Sequence, residues 1–118
     1  MSRIPERSAH FVAAARERIL VLDGAMGTMI QARNLSAEDF GGAALEGCNE
    51  NLNLTRPDVI RGIHEAYLEA GADLISTNSF GCAPYVLAEY GLADRFEEIC
   101  RAAGRLAREA ADARSTSG

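Results

Sequence analysis

Ile19-Leu20-Val21-Leu22-Asp23-Gly24-Ala25-Met26-Gly27-Thr28 is the stretch on which the expected fold turns. Its first four residues form an unbroken apolar run of strand length. That is the pattern of a strand covered on both faces, as in a parallel sheet. Asp23-Gly24 then punctuates the chain, because a glycine at this point breaks the run sharply. Upstream, residues 8–18 read as a helix: Phe11, Val12, Ala15 and Ile19 fall near helical spacing, with Arg16, Glu17 and Arg18 toward solvent. The charged start, Met1 to Arg7, leads into no signal-like apolar segment.

Downstream the elements alternate. Residues 28–33 read as a short helix. Ser36 with Asp39 resembles a capping box that starts another, which Gly41 and Gly42 end. Thr55-Arg56-Pro57-Asp58 is a helix start, with Thr55 as the cap and proline in the first turn. Val59, Ile60, Ile63, Ala66, Tyr67 and Ala70 follow on one face, and Gly71 suits a left-handed cap. Residues 73–77 form a second strand around Leu74 and Ile75. A loop over 78–84 leads to a short helix at 85–90. The last helix, about 94–113, carries Phe96, Ile99, Cys100, Ala103, Leu106, Ala107 and Ala110 on one face. The order predicts an α/β fold with a βαβ unit and parallel strands. Residues 1–113 are expected as one domain and 114–118 as a disordered tail.

Composition narrows the function classes. A net charge of −5 disfavours a phosphate backbone, so nucleic acid is not an expected partner. No apolar run approaches the roughly 20 residues of a membrane span. Three widely spaced cysteines, Cys48, Cys82 and Cys100, form no disulfide framework and fit a reducing cytoplasm.

In parallel βα architectures ligands gather at the carboxyl ends of strands. Two segments leave the expected strands there: Asp23-Gly24-Ala25-Met26-Gly27-Thr28 and Thr77-Asn78-Ser79-Phe80-Gly81. Asp23 is either a site for an amine or a turn residue. Gly24 and Gly27 allow backbone to approach a ligand, yet their spacing is neither a dinucleotide fingerprint nor a P-loop. Thr77, Asn78 and Ser79 supply donors for a carboxylate, or else satisfy their own loop. Phe80 either walls an apolar pocket or joins the core. His64 sits one step off the apolar face, as a surface or boundary residue. Cys48 and Cys82 lie on loops of one face but form no C-x-x-C and have no adjacent histidine, so no metal site and no catalytic residue is assigned.

Three blocks carry a resemblance: residues 19–31, residues 47–60 (Gly-Cys-Asn-Glu-Asn-Leu-Asn-Leu-Thr-Arg-Pro-Asp-Val-Ile) and residues 70–81 (Ala-Gly-Ala-Asp-Leu-Ile-Ser-Thr-Asn-Ser-Phe-Gly). In order and spacing they resemble the start of the homocysteine-binding, homocysteine S-methyltransferase domain found in cobalamin-dependent methionine synthases. The resemblance covers about residues 19–113. It implies a partial (βα)8 TIM barrel: the first two βα units, preceded by the N-terminal helix. It implies methyl transfer to homocysteine to give methionine, with zinc activating the thiol and methylcobalamin as donor in the full-length proteins. It also implies that Asp23 holds the homocysteine amino group and that Thr77 and Phe80 lie at its carboxylate. The family's three zinc cysteines have no counterpart among Cys48, Cys82 and Cys100, so no cofactor is expected on this chain alone. Such a piece is expected to be inactive by itself and to be completed by another chain carrying the rest of the barrel. The rival expectation is a non-catalytic α/β module that joins another polypeptide through open strand edges.

Overall fold

The computed structural model describes residues 3–115. Seven α-helices follow one another: α1 (Arg3–Glu17), α2 (Met26–Gln31), α3 (Ala37–Phe40), α4 (Leu52–Thr55), α5 (Pro57–Glu69), α6 (Pro84–Leu87) and α7 (Phe96–Arg114). Turns of 3-10 helix fill Ala43–Leu45, Asn49–Asn51, Ala88–Tyr90 and Ala93–Arg95. Part of the expected tail is thus helical, since Arg114 closes α7; residues 116–118 lie outside the described residues.

The expected α/β architecture is overturned. Among the described residues there is no β-strand and no sheet. Segments 19–22 and 73–77 do run side by side, but they meet only at one parallel bridge, Leu22 to Leu74. Three backbone hydrogen bonds hold them: Asp23 N to Leu74 O at 2.9 Å, Asp73 N to Val21 O at 2.8 Å and Leu74 N to Val21 O at 3.2 Å. The physical reason is missing cover. A pair of extended segments without further neighbours is marginal in water. Here Ile19 is 88% exposed, Val21 53% and Leu22 58%, so no burial rewards an extended ladder. The apolar run reads as buried on both faces, and in the structure only Leu20 of its four residues is even half-buried. The partial (βα)8 barrel is therefore replaced by a helical assembly stitched by a single bridge.

The core lies instead between helices. α5 starts at Pro57, whose fixed φ and missing N–H suit the first helical position. Arg56, and not the expected Thr55, occupies the cap position; Thr55 ends α4 and its hydroxyl donates back to Asn51 O at 3.3 Å. The Arg56 guanidinium donates to Asp39 at 2.6 Å and Asp58 at 2.9 Å, tying α3 to the start of α5. The Ser36–Asp39 capping box is present, with Ser36 N donating to Asp39 at 2.8 Å. Val59, Ile60 and Ile63 on α5 pack with Ile30, Phe40, Leu52 and Leu106. A second cluster joins Cys48, Leu87, Leu92 and Ile99. Buried Ala102, Ala103 and Ala110 give α7 a smooth face that lets α5 come close.

α1 contributes little to this core. Its apolar residues Phe11 and Val12 are exposed. Charge pairs at its edge hold it: Arg7 to Asp112 at 3.2 Å, with Arg18 just beyond its end reaching Asp73 at 2.9 Å. A groove of about 650 Å³ remains between α1 and α7; Leu20, Asp73 and Leu74 are among the residues that line it, and Asp23 is not.

Candidate functional site

Asp23 leaves the bridge with its carboxylate fixed on one side. Its Oδ2 accepts from Ser76 N at 3.0 Å, so the two loops expected to carry the site are joined through this residue. Its Oδ1 is buried and has no hydrogen-bond partner. The following turn rests on α5: the Tyr67 hydroxyl donates to Ala25 O at 2.7 Å. A Cβ at Gly24 would stand 3.0 Å from that hydroxyl, so any larger residue there would have to push the Tyr67 ring aside. Met26 opens α2 and is half-buried against the core.

The 77–80 segment divides by direction. Asn78 points inward and is buried. Its Nδ2 donates to Asn49 O at 2.9 Å and to Asn53 Oδ1 at 3.1 Å, while its carbonyl accepts from Asn53 Nδ2 at 2.9 Å. The Asn78 side-chain nitrogen is thus committed to the protein and not offered to a ligand. Thr77 is exposed and Ser79 half-buried, and their hydroxyls bond to each other. Phe80 is fully exposed, which removes the core reading and leaves the ring on the surface. Gly81 N donates to Glu50 Oε2 at 3.1 Å. The structure therefore brings Asp23 to the start of this segment, with Asn78 as its anchor and Thr77, Ser79 and Phe80 outward.

Several residues that shape the site are not assigned to it by the sequence: Asn49, Glu50, Asn53 and His64. Asn49, Asn53 and Glu50 hold the second loop from below. The available signal was the density of amides in Asn49-Glu50-Asn51-Leu52-Asn53, since amides packed into an apolar neighbourhood survive only when hydrogen-bonded. His64, read as a surface or boundary residue, is fully buried, with neither ring nitrogen partnered. Burial pushes its pKa below the ordinary histidine value, partly opposed by the negative charge of Asp23.

The cysteines converge without forming a metal centre. Burial raises the Cys48 thiol. Burial, then the neighbouring Cys100 and the charge of Glu50, pushes Cys82 up to about 12. No cluster of three His, Cys, Asp or Glu side chains among the described residues suits a metal ion. The residues present do not fit the zinc implied by the resemblance. No helix among them is long and apolar enough to cross a membrane.

Comparisons with known proteins bear on the same residues. Residues 20–117 match the family model described as Homocysteine S-methyltransferase. The methionine synthase of Mycobacterium tuberculosis (strain ATCC 25618 / H37Rv) is 51% identical over 96 residues, covering 81% of this chain and 8% of that protein. The methionine synthase of Mycobacterium leprae (strain TN) is 49% identical over 100 residues, covering 85% of this chain and again 8% of the relative. The chain spans less than a tenth of the length of these curated relatives.

Proposed function

Because this chain belongs to the homocysteine S-methyltransferase family, we propose that it carries one part of a homocysteine site and binds the amino acid without transferring a methyl group by itself. Asp23 faces the ammonium, and the 77–80 segment faces the carboxylate, with Thr77 and Ser79 as hydroxyl donors and Phe80 alongside. The observation that carries this reading is the hydrogen bond from Ser76 N to Asp23 Oδ2, at 3.0 Å. It ties a carboxylate to the residue just before Thr77, and a carboxylate near hydroxyl donors is a polarity that would suit an α-amino acid. Each carboxylate oxygen has two acceptor sites, so Oδ2 keeps one for an ammonium donor.

In the full-length relatives the methyl group would pass to the homocysteine thiol, with zinc supplying the thiolate and methylcobalamin the methyl. The described residues lack a zinc ligand set, so no such step is drawn through them. Titration calorimetry with L-homocysteine tests the reading. Asp23→Ala is expected to weaken binding by about tenfold to a hundredfold, the range for a charge-assisted hydrogen bond. Equal binding by Asp23→Ala and the unsubstituted chain refutes it.

A second reading is association with another polypeptide. It is favoured by the apolar run Ile19, Val21 and Leu22, exposed on the segment that forms only one bridge. It predicts a stoichiometric complex with a chain that covers this run, and no homocysteine binding by the 118 residues alone.

A further inference from the structure

His64 is costly where it stands. Its ring is fully buried on α5, and neither nitrogen has a protein partner. A neutral imidazole carries one donor and one acceptor, and leaving both unpaired in an apolar setting is unfavourable. A leucine in the same volume would avoid that penalty. Directly relevant is a second unpaired atom, the buried Oδ1 of Asp23.

The two belong to one neighbourhood. Tyr67, one turn beyond His64 on α5, donates to Ala25 O at 2.7 Å and lies against Gly24. The face of α5 that bears His64 and Tyr67 therefore supports the 23–25 turn. The charge of Asp23 acts on His64 across this contact. A buried donor without an acceptor and a buried acceptor without a donor thus belong to the same α5–turn neighbourhood.

We infer that His64 is a positioning residue for Asp23: its ring N–H serves Oδ1 through one bridging water, and holds the carboxylate so that Oδ2 faces the ligand ammonium. The Ser76 amide fixes one oxygen and His64 the other, which leaves the carboxylate no free rotation. The role in binding rests on the homocysteine reading; the His64–Asp23 coupling itself does not.

The test separates the two. The chain contains two histidines, so long-range 15N–1H spectra resolve His64, with exposed His10 as an internal reference. Asp23→Asn is expected to shift the His64 ring nitrogens and leave those of His10 in place. Unchanged His64 resonances overturn the inference, whatever the result with homocysteine. In the second arm, His64→Leu is expected to keep the helical circular dichroism yet bind homocysteine about tenfold or more weakly, the lower range for a bond to a charged group. His64→Gln, which retains a donor, is expected to recover most of that loss. Binding by a folded His64→Leu equal to the unsubstituted chain overturns the positioning role. If His64→Leu fails to fold, the spectra of the unsubstituted and Asp23→Asn chains decide. If Asp23→Ala binds homocysteine normally, the homocysteine reading falls and the coupling is still judged by the spectra.

Discussion

Replacing Asn53 by alanine is expected to cost more than replacing Asn51, although both side chains are buried, equal in size and two positions apart. Asn53 donates to Asn78 O at 2.9 Å and accepts from Asn78 Nδ2 at 3.1 Å. Alanine removes both bonds, at about 1 kcal/mol each, and strips the buried Asn78 carbonyl of its partner, adding about 1 kcal/mol more. The expected loss is therefore about 3 kcal/mol. Asn51 makes one side-chain bond, to Phe40 O at 2.8 Å, while its Oδ1 is already buried without a partner. Alanine there deletes a bond and a liability together, so the expected loss is about 1 kcal/mol. Urea melts followed by circular dichroism measure the gap. With a slope of about 1–3 kcal/mol per molar for a small domain, 2 kcal/mol separates the midpoints by about 1 M. Equal midpoints for the two variants would refute the assignment of Asn53 and Asn78 as the clamp between α4 and the second loop.

Other outcomes follow from the same structure. Stability is expected to fall with acid below about pH 6.5, because unfolded His64 binds a proton at its ordinary value while the folded ring, with its lowered pKa and only the Asp23 charge to oppose the shift, does not. The slope approaches about 1.4 kcal/mol per pH unit until the folded ring titrates, and His64→Leu should flatten it in chemical denaturation between pH 7 and 5. Gly41→Ala is expected to destabilise by about 1 kcal/mol or more, since φ is +109° and the new Cβ would stand 2.9 Å from Leu45 Cδ1 and 3.1 Å from Asn51 Nδ2. Gly104→Ala, exposed inside α7 with open space around the new methyl, should raise the thermal midpoint by the equivalent of about 0.5–1 kcal/mol. Phe80→Ala should leave the urea midpoint within about 0.5 kcal/mol of the unsubstituted chain, and a larger loss would show that the ring is packed.

The helices were legible because each signal acts within a turn or two of chain. Pro57 starts α5, Ser36 and Asp39 close a capping box, and the Phe96–Ala110 spacing draws the buried stripe of α7. The strands were misread for a reason of range. Ile19-Leu20-Val21-Leu22 states only that the run gains from cover, and cover depends on residues that are not its neighbours in sequence. With one bridge and an open face, the same residues remain extended and exposed. His64 was misplaced by a smaller margin: it lies four residues beyond Ile60, only about 40° around the helix from it, and Tyr67 on the same side meets the 23–25 turn.

The candidate site shows the same division within four residues. Thr77, Asn78, Ser79 and Phe80 were grouped as a single set of ligand contacts because they are contiguous and mostly polar. Contiguity does not give them one role. Asn78 turns inward to three amide contacts, and so determines where Thr77, Ser79 and Phe80 stand outside. The inward and outward sets depend on each other: a loop free of the Asn49–Asn53–Asn78 clamp would not hold Ser76 N at Asp23. Without that hydrogen bond the carboxylate and the hydroxyls would no longer share a face. The amino-acid binding proposed for this site would therefore rest as much on buried amides that touch no ligand as on the groups that would.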